Sequence, residues 1–177
     1  MFPISALSAF SAVRQMMRIV RATAEDAEAL TQIAHAAKRH WGYPETWIAA
    51  WRDVLTMRPE FIAENISFCA IEGDRPIGFY VLTAEEDGIH LDHLWVLPQA
   101  MGRGMGRALF EHAVAEATSA GSSSIKIEAD PNAEGFYQGM GAIRVGTSIS
   151  QVDGKRRELP LFEYWIDAGR TNPTHAR

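Results

Sequence analysis

Three β-type runs stand almost end to end in the middle of the chain: ISFCAIE (66–72), PIGFYVLTA (76–84) and IHLDHLWVL (89–97), joined by GDR and EEDG. Val, Ile, Phe, Tyr and Trp suit a pleated, half-buried surface, and the Gly and Asp residues of the connections suit tight turns. Connections this short join neighbouring antiparallel strands, because a parallel pair needs a crossover of about a dozen residues or more. The segment predicts an antiparallel meander, and any fold for this chain must be built around it.

The flanks supply helices and further strands. RIVRAT is a short β-type run; Thr23 then stands as an N-cap, with Glu25 and Asp26 in the first turn and Leu30, Ile33, Ala34 and Ala37 at helical spacing. Gly42 and Pro44 stop that helix, and Pro44 opens a second over ETWIAAWRDVL. After the meander, RALFEHAVAEATSAG reads as a helix with Leu109, Ala113 and Ala117 on one face and Gly121 as its stop. SIKIEA is a strand, NAEGFYQGMG a short helix, and IRVGTSIS and LPLFEYWI are strands joined by the hairpin turn Asp153-Gly154. The sum is an α+β fold with a mixed, mostly antiparallel central sheet of about seven strands flanked by helices.

With 177 residues, 47% of them hydrophobic and 22% charged, the chain suits one domain, and no internal repeat divides it. Residues 17–168 are read as that domain, 1–16 as an extension of unassigned role and 169–177 as a flexible tail. A net charge of −5 argues against general affinity for nucleic acid or an anionic membrane. The single cysteine, Cys69, lies in an apolar run and is expected to be a buried small hydrophobe, with a reducing, cytoplasmic location implied. His35 and His40 have no metal-ligand spacing, and no metal site is expected.

The chemistry concentrates in PQAMGRGMGRALF (98–110). Glycines let a loop aim several backbone N–H groups into one concavity, and at a helix start those groups have no partner within the helix. The helix dipole, with Arg103 and Arg107, adds positive charge, so 102–107 is a candidate anion cradle. It matches neither a dinucleotide fingerprint, whose third glycine would fall at Arg107, nor a P-loop, which needs Lys followed by Ser or Thr.

HLWVLPQAMGRGMGRALFEHAV resembles the acyl-CoA-binding motif of the GNAT acetyltransferase superfamily. In that motif a strand ends in an apolar residue, x and Pro, and runs into a loop of Gln or Arg, two variable residues, Gly, x, then Gly or Ala. Gly104 and Gly106 match the glycines, Gly102 and Arg103 fill the variable pair, and Met101 stands at the Gln or Arg position. A second segment, EADPNAEGFYQGMGA, is similar to the superfamily's later motif through Ala133, Phe136 and Tyr137. There Asp130 occupies the usual Asn position and Asn132 follows two residues later.

The resemblance implies a GNAT-type sheet and transfer of an acetyl group from acetyl-CoA, as co-substrate, to an amine of a small molecule or peptide by direct attack on the thioester. It places the pyrophosphate on Gly102, Arg103, Gly104, Met105, Gly106 and Arg107, the pantetheine arm beside Trp95 and Val96 where two strands splay, and a polar contact at Asn132 or Asp130. Tyr137 is implied as the proton donor to the thiolate. For the base, His90, Asp92 and His93 lie on one strand, and His93 is favoured as nearest the carbonyl-holding segment. The alternative is a non-catalytic acyl-CoA-binding or sensing module. The aromatic loop HWGYPETW either lines the acceptor pocket or packs between helices, and the last hairpin, with Phe162, Tyr164 and Ile166, is a candidate surface for a homodimer.

Overall fold

The computed structural model describes residues 17–166; the stretches read as an N-terminal extension and a C-terminal tail lie outside the described residues. The meander forms as β2 (Ile66–Glu72), β3 (Arg75–Glu85) and β4 (Gly88–Val96), each antiparallel to the next. Before it come β1 (Arg18–Arg21) and the helices α1 (Ala27–His40), α2 (Glu45–Ala50), α3 (Arg52–Leu55) and α4 (Pro59–Glu64). After it follow α5 (Met105–Ser119), β5 (Ser124–Glu128), α6 (Glu134–Gly139), β6 (Ile143–Val152) and β7 (Lys155–Trp165). Among the described residues these strands form one seven-stranded sheet in the order β1-β2-β3-β4-β5-β7-β6, in which β4 and β5 alone run parallel.

Local chemistry accounts for the element ends. Thr23 opens the first helical segment, its N–H donating to the Asp26 carboxylate at 2.7 Å. Gly121 ends α5 at φ 81°, and the Ser122 N–H reaches back to the Ala117 carbonyl at 3.0 Å. Asp153 (φ 51°) and Gly154 (φ 70°) make the expected hairpin turn between β6 and β7. The helix expected over ETWIAAWRDVL instead breaks at Trp51 (ψ 6°), whose ring packs edge-on against Tyr43 and Trp47. The sequence reading also left α4 unassigned; Pro59 is its first residue, after an extended Arg58.

Two cores form because β3 is apolar on both faces. Phe79 and Val81 pack under α1 and α4 with Leu30, Ile33 and Ile62. Tyr80 and Leu82 pack under α5 with Leu109, Phe110 and Phe162. Cys69 is buried as expected, and its burial pushes the thiol up to about 11, which keeps it an un-ionised hydrophobe. No helix of the described residues is long and apolar enough to cross a membrane.

The last hairpin departs from expectation in one respect. β7 lies between β5 and β6, so Phe162 points into the core at 1% exposure, and Tyr164 packs on Phe110. The apolar side chains left exposed at this end are Ile143, Val145 and Ile149 on the edge strand β6. Truncating Phe162 would open a cavity where β5, β7 and α6 meet. Phe162→Ala is expected to lower the unfolding free energy by about 3–5 kcal/mol in a urea titration, and a loss below about 1 kcal/mol would contradict this packing.

Candidate active site

The glycine loop takes the bare-backbone form that its composition suggested. Gly102 (φ 71°) and Gly104 (φ 81°) both adopt the left-handed conformation that side chains resist, and Gly104 is the N-cap of α5. The Ala108 N–H donates to the Gly104 carbonyl, so the N–H groups of Met105, Gly106 and Arg107 precede the first hydrogen bond of the helix. A Cβ at Gly102 or Gly104 would meet open space, so the loop presents bare backbone to a concavity. Gly106 answers to a different demand: its Cβ would come within 3.2 Å of the Phe136 ring, so α5 and α6 approach closely there.

That concavity is one end of a cleft of about 530 Å³. β4 and β5 pair only at Ile89↔Ile125 and His90↔Lys126, and beyond those pairs they diverge. Trp95 and Val96 remain bonded to β3 through Phe79 and Gly78, which leaves their β5 side open along the cleft. The cleft continues past Met101 to Glu128, Asp130 and Asn132 at the end of β5, and to Phe136, Tyr137 and Met140 on α6.

Tyr137 is 6% exposed among Phe110, Phe136 and Phe162, and its hydroxyl has no protein hydrogen-bond partner among the described residues. Burial, and then the Asp130 carboxylate, raise its pKa well above the ordinary phenol value. It is a protonated donor facing a cleft.

A model of the acetyltransferase (GNAT) domain matches residues 22–156. The chain belongs to the GNAT acetyltransferase family. It is 36% identical over 104 residues to a peptidyl-lysine N-acetyltransferase, YjaB, of Salmonella typhimurium; this alignment takes in 58% of the chain and 66%, just under two thirds, of that relative. In fold it is similar to a GCN5-related N-acetyltransferase from Rhodopseudomonas palustris (TM-score 0.72, 21% identity, 86% of this chain and 96% of that one). A PaiA N-acetyltransferase from Thermoplasma acidophilum, solved in complex with coenzyme A, has a TM-score of 0.69 at 19% identity, over 85% of this chain and 99% of that one.

Against the GNAT motifs, the structure gathers most of the expected residues and separates two. Trp95, Val96, Gly102, Gly104, Met105, Gly106, Arg107, Asn132 and Tyr137 all line the cleft. Arg103 turns away, its guanidinium meeting Glu72 at the end of β2 at 2.5 Å. His93 does not line the cleft either. A bulge leaves Asp92 unpaired, since Val81 opposes His93 while Leu82 opposes Leu91. Leu91 and Leu94 therefore face the α5 core, while His93 turns to the other face between Phe61 and Phe79. Strict alternation cannot anticipate this reversal. Trp95 donates its indole N–H to His93 Nδ1 at 3.1 Å, which places the ring proton on Nε2, 3.3 Å from the Asp92 carboxylate. Burial lowers the His93 pKa, and of the two residues Asp92 is the one that reaches the cleft.

The aromatic loop contributes more than the motifs suggest. Tyr43 O–H donates to Asp130 Oδ1 at 2.9 Å, and the Asn132 side chain donates to the Tyr43 oxygen at 3.0 Å. Lys38, from α1, is ion-paired with Asp130, and both side chains are about 10% exposed or less. Sequence reasoning missed Lys38, Tyr43 and Arg157 because they reach Asp130 from distant parts of the chain. The one available signal was a lysine directly after the buried stripe residue Ala37.

Two outcomes are expected. Valine at position 104 would force β-branched backbone into φ 81°, so Gly104→Val abolishes acetyl-CoA binding by calorimetry in a protein that remains folded; unchanged affinity would refute the cradle. For Asp130, burial alone would raise the pKa, but the Lys38 charge and the hydrogen bonds outweigh it and the carboxyl is held low. Its stabilisation is present above the unfolded value of about 3.9 and is lost as pH falls through the lower folded value. Asp130→Asn is expected to cost about 3–5 kcal/mol at neutral pH by denaturant unfolding, and to flatten the loss of stability below about pH 4.

Proposed function

We propose that the protein is an N-acetyltransferase that moves the acetyl group of acetyl-CoA to a primary amine. The observation that carries this reading is the continuity of one cleft from the bare backbone at the start of α5, along the unpaired edge of β4, to the Tyr137 hydroxyl. Acetyl-CoA supplies an activated thioester. The amine nitrogen forms the new bond to the acetyl carbon, the carbon–sulfur bond breaks, one proton leaves nitrogen and one reaches sulfur.

Each element of the cleft has a part in that sum. Backbone N–H groups of 102–107 and the α5 dipole hold the pyrophosphate, and Arg107 adds charge at its rim. The open edge at Trp95 and Val96 orients the donor chain and polarises the carbonyl. Asp92, set into the cleft by the bulge, accepts the ammonium proton directly or through water, and His93 positions it from behind. Tyr137, kept protonated by burial, donates to the departing thiolate. That YjaB is named a peptidyl-lysine N-acetyltransferase supports an amine acceptor. The exposed edge of β6, with Ile143, Val145 and Ile149, is the surface through which a homodimer would pair.

Tyr137→Phe keeps the ring and its packing while deleting the donor. With saturating acetyl-CoA and an amine found by screening for release of free CoA, kcat is expected to fall by about 100- to 10,000-fold, with acetyl-CoA affinity unchanged. Wild-type kcat in the variant would remove Tyr137 from the chemistry, and binding of acetyl-CoA with no amine turned over would leave the binding-module reading in its place.

A further inference from the structure

Beside the cleft, on the face of the sheet that carries α1, two cations share one carboxylate. Lys38 and Arg157 both lie against Asp130, each with a side chain no more than about 10% exposed. Asp130 is already well supplied: Lys38, Tyr43 O–H and the backbone and side-chain N–H groups of Asn132 all donate to it at 3.1 Å or less. Arg157 is left with the remainder. Its Nη2 sits 3.5 Å from Asp130 Oδ2 and 3.4 Å from the Tyr43 oxygen, both at the limit of a hydrogen bond. Among the described residues its Nε and Nη1 donate to nothing, and neither is sealed from solvent. Its Cζ lies over two rings, 4.7 Å from the centre of Trp51 and 5.4 Å from that of Tyr43. The rings hold the guanidinium in place but do not neutralise it.

A largely buried guanidinium whose contacts are both long and both made by Nη2 leaves its Nε–H and Nη1–H to donate to an incoming carboxylate in a charge-assisted hydrogen bond. Its position is suited to the acceptor rather than to the donor. The glycine cradle lies at the start of α5, which packs on the opposite face of the sheet from α1, whereas Arg157 lies against Asp130, which lines the cleft. We propose that the acceptor is an amine that carries a carboxylate on the same molecule, and that Arg157 binds this carboxylate. The inference rests on the acetyl-transfer reading for the word acceptor, but the anion site stands or falls separately.

Removing Arg157 leaves Lys38 and Asp130 as a balanced pair, so Arg157→Gln retains the fold. The test compares phenylalanine with phenethylamine, and phosphoethanolamine with ethanolamine, by release of free CoA. Phenylalanine is expected to exceed phenethylamine in kcat/KM by about 10- to 100-fold, the worth of a charge-assisted hydrogen-bonded contact. Arg157→Gln should erase that preference through KM with kcat little changed, and Arg157→Lys should restore part of it. Equal rates for the two amines, or a variant that slows both alike, overturns the proposal; a preference for phosphoethanolamine over phenylalanine replaces the carboxylate by a phosphate. A second measurement needs no turnover: the CoA-loaded protein is titrated with N-acetylphenylalanine and with N-acetylphenethylamine in a calorimeter. Binding of the first alone, lost in Arg157→Gln, supports the site even where no amine is acetylated, in which case the enzymatic reading fails and the anion site remains. No difference between the two ligands overturns it.

Discussion

The cleft in this molecule depends on a short parallel contact. β4 and β5 hold each other over two residue pairs and then separate, which turns a continuous sheet into a fork. Opening a sheet exposes backbone donors and acceptors, and such a gap is costly unless something else holds the strands. Here each strand at the fork is held by its other neighbour, β4 by β3 and β5 by β7, and helices cover both faces. The fork is therefore an affordable defect. It leaves backbone groups of β4 open along the cleft.

Electrostatics at the fork follow from the same geometry. The end of β5 delivers Asp130 into a region of low polarity, where a lone carboxylate would be strongly disfavoured. Lys38, Tyr43 and Asn132 converge to satisfy it. The Lys38 ammonium also lies over the rings of Tyr43, Trp51 and Trp95, and burial lowers its pKa even beside its partner. This cluster joins α1, the aromatic loop and β5, so it is at once a wall of the cleft and a tie between parts of the chain that share no strand pairing.

The fold was legible wherever its causes are local. Short turns between apolar runs dictated the meander, Thr23 and Gly121 marked helix ends, and Asp153-Gly154 specified a hairpin. The bare backbone of the glycine loop was legible for the same reason: its glycines serve their own conformation. What escaped were effects of distant contact. The helix over ETWIAAWRDVL breaks at Trp51, whose ring meets Tyr43 and Trp47 in space. The bulge at Asp92 reverses His93 although nothing in IHLDHLWV announces it. The partners of Asp130 come from α1, the following loop and β7, separated from it by 92, 87 and 27 residues. Periodicity reports which face of an element is apolar; it does not report which elements will meet.

The close approach of Gly106 to Phe136 has a mechanical meaning. Phe136 directly precedes Tyr137, and α6 is too short to fix its own orientation through its backbone ladder alone. The helix is seated instead through its aromatic ring, which lies against Gly106 in the first turn of α5. The phenol and the cradle are thus machined to a common datum: a single methyl group at position 106 would displace one relative to the other, with no change to any atom that meets a substrate.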